Sequence, residues 1–358
     1  MSITVNAQDI INPYMHGAGS IGATYSHQSG TFTLPAGQDS VTVTITSVPM
    51  NRTMWTWQPA MVESVGVSGQ CGGVLGVMIA DNTLLFFREE DTGCGPVSGQ
   101  YYARTDSDNT VQHGLVTVPI DSSVKNVTIT ASTLANTWSY LTGVWETSTT
   151  SWNGNASVTL EQTSTTNLRF TSYSATAITQ RFGYQVVTNA NFTVTRGDTG
   201  SSTSSFKVPI TSVGDSTEAI ISGTSFVNAN SGQRISGNSL VDNVDTAAVT
   251  YGNTGSGRQY AYQAVRIANA KIYPVPIAFG IGDLSAMASI GASVNTALAM
   301  IFGNGFMNWG GKTGSATANR GPFTSPFTFS TPSQVQGTRL FHGAATYDPV
   351  PHVIVWDP

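Results

Sequence analysis

Residues 29–48, SGTFTLPAGQDSVTVTITSV, return at 113–132 as HGLVTVPIDSSVKNVTITAS. The offset is 84 positions without a gap: Gly30 meets Gly114, Pro35 meets Pro119, and Val43-Thr44-Ile45-Thr46 meets Val127-Thr128-Ile129-Thr130. A register kept over this length marks a duplicated structural unit, which has to bury the same apolar pattern each time it occurs. Within the stretch Val41, Val43 and Ile45 alternate with Thr42, Thr44 and Thr46, the period of a half-buried strand. Pro35-Ala36-Gly37 supplies the turn before it.

Extending the register divides the chain. Residues 1–28 have no clear period and read as an N-terminal arm. Residues 29–109 and 110–190 are the first two units, the second closing on RFGYQVV (181–187). Residues 191–267 form a third, with FKVPITSV (206–213) and a closing RQYAYQAVRI (258–267). Residues 268–358 form a divergent fourth, which keeps Val275-Pro276-Ile277 and ends on PHVIVWDP. Each unit has the length and turn spacing of a small antiparallel β-sandwich, whereas a propeller blade needs only about 40–50 residues. The expected fold is therefore all-β: four tandem sandwiches after a short arm, strung into an elongated molecule. The Ala-rich run 284–302 would pass for a helix in isolation; its place in the repeat predicts strands.

Composition removes several functions. Charged residues make up 10% of the chain, against about 25% in ordinary soluble domains, and the net charge is −5. A nucleic-acid groove needs clustered Lys and Arg, so no nucleic-acid partner is expected. Only Lys125, Lys207, Lys271 and Lys312 are available to guard sheet edges. The window 284–309 is uncharged but rich in Gly, Ser and Asn and lacks close basic flanks, so no membrane span is expected. The N-terminus has neither a basic nor an apolar signal region, which points to synthesis in a cytoplasm. Cys71 and Cys94, both flanked by glycine in the first unit, are close enough in sequence for a local disulfide or can remain as thiols.

No chemistry-bearing constellation stands out. His16, His27, His113, His342 and His352 do not pair at metal-ligand spacing, and His27 and His113 read as turn residues before repeat openings. Glu89-Glu90-Asp91 reads as a solvated turn, because neighbours in a strand point to opposite faces. Asp106-Ser107-Asp108-Asn109 lacks the glycine and glutamate of a calcium loop. The sequence therefore predicts no catalytic residues, no metal and no cofactor. Trp55 and Trp138 fall in strands and read as core. Trp145, Trp152 and Trp309 fall in loops among Thr, Asn and Gly, where exposed aromatics stack on sugars or anchor a partner.

A unit opening QSGTFTLPAG, continuing through VTITSV and DNTLLFFR and closing on a YQVV-like strand resembles the tandem β-sandwich repeats of tailed-bacteriophage virion proteins. The resemblance spans 29–267 well and 268–358 weakly. It implies a non-enzymatic virion subunit, in a tail fibre, a neck or tail appendage or a head decoration, assembled in the host cytoplasm. It also implies a homo-oligomer, threefold by the family's habit, with residues 1–28 joining other virion proteins. The alternative is a glycan-binding adhesin that uses the aromatic loops to attach to a host.

Overall fold

The computed structural model describes residues 25–59, 74–88, 96–118, 124–146, 158–172, 180–202, 206–209, 219–227, 237–243, 246–251, 258–280, 283, 285–303, 327–338 and 350–356. These residues are all-β, with short 3₁₀ turns and no α-helix among them. Unit one holds β1 (Tyr25–Leu34), β2 (Ser40–Thr44), β3 (Thr53–Pro59), β4 (Leu75–Ala80), β5 (Thr83–Phe87) and β6 (Val97–Asp106). Unit two holds β7 (Thr110–Val118), β8 (Val124–Thr128), β9 (Thr137–Glu146), β10 (Val158–Ser164), β11 (Asn167–Ser172) and β12 (Gln180–Thr188). Unit three holds β13 (Phe192–Ser202), β14 (Phe206–Pro209), β15 (Ala219–Val227), β16 (Gly237–Asn243), β17 (Thr246–Tyr251) and β18 (Arg258–Ile267). Unit four holds β19 (Ala270–Pro274), β20 (Ser285–Ser289), β21 (Ala299–Phe302), β22 (Phe327–Thr331), β23 (Gln334–Thr338) and β24 (His352–Trp356).

The topology repeats without exception. In each unit the first, sixth and third strands form one antiparallel sheet in that order, and the second, fifth and fourth form the other. The two sheets close a sandwich over alternate residues. In unit one Phe32, Trp55, Trp57 and Tyr101 meet Val41, Val43, Leu84 and Phe86, with the Phe32 and Phe86 rings stacked at 3.7 Å. A glutamine ties the sheets together at their edge. Gln28 gives its amide to the Thr46 carbonyl (3.0 Å) and accepts from the Thr46 N–H (2.9 Å). Gln112 does the same with Thr130, 84 residues later (3.0 and 2.7 Å).

Glycine is required opposite the tyrosine of each closing strand in the first three units. Gly30 pairs with Tyr101, Gly114 with Tyr184 and Gly197 with Tyr262. A Cβ on Gly114 would stand 2.1 Å from the Tyr184 ring. The tyrosine lies over the bare backbone and covers it, the arrangement by which an aromatic compensates a strand glycine.

The sixth and third strands are buried on both faces, while first strands such as β19 alternate buried with exposed residues. Their second face turns away from the sandwich toward a core shared by all four units: Met54 and Tyr102, Trp138 and Val187, Ile220 and Val265, Met300 and Ile354. We call these the inner sheets. Residues 107–109, 189–191 and 268–269 are all that separate consecutive units, so each unit is held tightly against the next. Unit one's outer sheet runs into unit two's inner sheet where Leu75 bridges Gly143. Gly143 has φ +146, and a Cβ there would sit 2.7 Å from the Leu75 Cα, so no other residue admits this approach. Unit four closes back on unit one. Trp356 and Tyr25 both lie on the Arg104 guanidinium, at 4.5 and 4.8 Å, and across the shared core Phe302 also reaches Trp138 of unit two at 4.8 Å.

Several expectations change here. The sandwiches are closed around a common core and not strung out, because one face of every inner sheet is apolar and has to be covered by neighbours. Strand β1 begins at Tyr25, inside the segment read as an arm, because His27 and Gln28 are buried and Gln28 is the first inter-sheet tie. His27 and His113 lie within strands and not in turns. Trp55 and Trp138 are both core, but they fill different cores, the unit-one sandwich and the shared one. The run 285–302 forms strands β20 and β21. Lys125, Lys207 and Lys271 stand on β8, β14 and β19, each the edge of its sheet, so the few lysines are placed where strand pairing with strangers has to be prevented.

Candidate functional site

The junctions between units concentrate the buried polar chemistry. Gln185 on β12 faces β3 of the unit before it. Its Oε1 accepts from the Trp55 N–H (3.0 Å) and its Nε2 donates to the Trp55 carbonyl (2.5 Å). The Tyr140 hydroxyl donates to that carbonyl (3.0 Å) or to Gln185 Oε1 (3.1 Å). Gln263 on β18 repeats the clamp on Ser139, accepting at 3.0 Å and donating at 2.5 Å. A primary amide carries one acceptor and one donor, as a peptide group does, so the glutamine extends the neighbouring strand's ladder from the side. Below each clamp, a side chain satisfies the end of the 3₁₀ turn preceding the third strand. His113 Nε2 lies 2.9 Å from the Met50 carbonyl, and Arg196 donates to the Leu134 and Thr137 carbonyls at 2.6 and 2.5 Å. Burial pulls the Arg196 pKa down to about 10 and lowers that of His113.

Between units two and three lies a cleft of about 160 Å³. Glu161 and Thr163 of β10, Arg196 and Asp198 of β13 and Tyr262 of β18 line it. Glu161 is paired with Arg169 at 2.5 Å, and Arg196 is committed to the carbonyls named above. With these two charges engaged, the cleft is a largely apolar surface that carries the polar groups of Thr163, Asp198 and Tyr262, a mixture suited to a hydroxylated ligand. Two of the corresponding positions between units one and two are apolar. Ile79 and Leu115 stand there in place of Thr163 and Asp198 and are 52% and 47% exposed. Thr163 and Asp198 are therefore not dictated by the repeat that units one and two share.

A third cluster fills the inner face of unit one. His27 and Arg104 face each other across β1 and β6, both nearly sealed from solvent. Arg104 Nη2 meets Asp106 Oδ2 at 3.2 Å, while Asp106 Oδ1 accepts from the Asp108 N–H at 3.0 Å in the turn into unit two. Arg104 Nη1 and both ring nitrogens of His27 lack a partner of hydrogen-bonding geometry, although the Ala299 backbone lies beside the imidazole. Burial, and then the neighbouring guanidinium, push the His27 pKa down to about 3. Burial brings Arg104 to about 10 and His352 to about 4.

Of the residues singled out from sequence, Trp145 lies in β9 and not in a loop, opposite Arg181 of β12. Cys71, Cys94, Trp152 and Trp309 fall outside the described residues. The clamp glutamines escaped sequence reading, although the shared Tyr-Gln of YQVV and YQAV carried them. His27 with Arg104 left no sequence signal, since only the register of β1 on β6 joins them. Among the described residues no group of three or more His, Cys, Asp or Glu is placed to hold a metal ion. No described helix is long and apolar enough to cross a membrane. No protein-family model matches the chain, and no curated protein matches it in sequence.

Proposed function

We propose that the chain is a non-enzymatic structural subunit of a tailed-bacteriophage virion, working as an appendage or head-decorating protein. The observation that carries this reading is the use of buried polar groups. Gln185, Gln263, His113 and Arg196 are spent joining one sandwich to the next, which makes a stiff multi-unit body. The closed arrangement suits a compact knob or plate better than the shaft of a fibre. The repeat resemblance supplies the virion setting, a homo-oligomer of threefold symmetry, and attachment to other virion proteins through the N-terminal segment. Purified particles labelled with gold-conjugated antibody against the chain should show regular decoration at one site, and light scattering of the isolated protein should give a multiple of 37.6 kDa. Unlabelled particles would end the virion reading, and a stable monomer at micromolar concentration would end the oligomer.

The cleft between units two and three favours a second reading, attachment to a host glycan. Its volume is that of about one sugar ring, and its lining includes Thr163 and Asp198 where the sister junction has Ile79 and Leu115. An array of bacterial surface glycans should retain the protein. The exchange Thr163→Ile with Asp198→Leu, which installs the residue types of the sister junction, should lower retention at least tenfold. No retention, or retention unchanged by the exchange, removes this reading.

A further inference from the structure

Three of the four junctions are tethered by the chain itself; the one between units four and one is held by contacts alone. Its frame copies the others. The 3₁₀ turn 296–298 packs on β1 as the turn 50–52 packs on β7 and the turn 134–136 on β13. What fills the frame differs. At the clamp position, where units two and three carry Gln185 and Gln263, β6 has Tyr102 and β24 has His352. Gln58 Nε2 donates to the Ile301 carbonyl at 2.8 Å, in place of a two-way amide. The next cross-strand pair inward is Val111–Val187 in unit two, Val194–Val265 in unit three and Ile272–Ile354 in unit four. In unit one it is His27–Arg104. An apolar contact has been replaced by an unsatisfied imidazole beside a buried cation, which is costly to bury.

We infer that the seam between units four and one is a self-assembly surface, at which a second copy of the same chain can take the place of the chain's own partner unit. The occupant follows from the geometry. Parting the seam leaves one chain with two faces, Tyr102 and Gln58 on one side and Trp356 and Ile301 on the other, each already complementary to the other. Both are largely apolar and do not remain in water when another copy is at hand. Such a head-to-tail joint closes a ring of several copies or propagates. Acid should loosen it, because His27 must be protonated beside Arg104. His352, at the clamp position of unit four, is loosened with it, but there the chain itself still tethers unit four to unit three. The groups around His27 are Tyr25 on its own strand and Tyr102, Arg104 and Asp106 on β6. From unit four come the Ala299 backbone and the Trp356 ring, neither of which offers a compensating negative charge. This inference holds whether or not the chain serves a virion.

The test starts from the full chain at a few micromolar and at several hundred micromolar, held at pH 4.5 and returned to pH 7.5, with mass read by light scattering. The expected result is a discrete multiple of the starting species, its fraction rising with the concentration during the acid step. In His27→Val with Arg104→Val, which installs the pair of units two and three, that fraction should fall at least tenfold. No new species at the higher concentration overturns the inference, as does an equal yield from the double variant. Should that variant fail to fold, hydrogen exchange of the unaltered protein at pH 4.5 decides. Protection must be lost in β1, β3 and β21 while β10 and β15, at the junction of units two and three, keep it; uniform loss overturns the inference.

Discussion

Lowering the pH from 7.5 to 4.5 should reduce the stability of the fold by about 5 kcal/mol, most of what a domain of this kind possesses. His27 and His352 are each about 1–3% exposed, and burial holds their pKa values near 3 and 4. Unfolding returns both to the ordinary value near 6.5, so below that value the unfolded chain binds more protons than the folded one. The stability they lend is therefore complete above pH 6.5 and drains away as the pH falls toward 4. Each pH unit within that window costs about 1.4 kcal/mol per histidine, which gives roughly 2–3 kcal/mol each at pH 4.5. His113, also shifted downward by burial, adds in the same direction. Urea midpoints measured across the range provide the check, and a midpoint independent of pH between 7.5 and 4.5 would contradict it. His27→Val should remove close to half of the slope.

Gln185→Leu should cost about 3 kcal/mol. Two hydrogen bonds are lost, and the Trp55 N–H is stranded in a fully buried place where neither water nor another acceptor replaces Oε1. The Trp55 carbonyl keeps the Tyr140 hydroxyl, which limits the damage. Gln112→Leu removes the same pair of bonds, to the Thr130 backbone, in a setting open to solvent. Water then satisfies what the amide leaves, and the cost should stay below about 1 kcal/mol. Chemical denaturation of both variants measures the contrast. Equal losses would mean that the clamp matters through packing and not through its hydrogen bonds.

The gap-free 84-residue register carried the architecture of a single unit, since strand alternation at Val41, Val43 and Ile45 and the turn at Pro35 are local properties. The closure of four units on one core was written less openly. Its signal is in Met54-Trp55 and Tyr101-Tyr102, where large residues occupy consecutive positions and period two fails. A strand with only one buried face would alternate, and these are buried on both. The repeat register starts at residue 29, so Tyr25-Ser26-His27-Gln28 carries no periodic sign of a strand. The side chain of Gln28 enters the interior because the Thr46 backbone meets it there, and His27 is carried in on the same strand. Thr, Asn and Gly near Trp145 read as a loop, yet Gly143 is the bend that lets β9 continue past β4. Side-chain chemistry at the seam depends on which residues sit opposite one another across 77 positions, from His27 to Arg104, and no local pattern encodes that.

Tyr25 opens the first strand and Trp356 closes the last, and their rings lie on the same guanidinium. The path of the backbone therefore returns to where it set out, and linkers as short as residues 107–109 and 189–191 interrupt an otherwise cyclic succession. Which sandwich is made first becomes an accident of the gene's reading order. A sequence rotated by one unit, with Tyr25 joined to Trp356 through a short bridge and new ends between β6 and β7, describes the same solid.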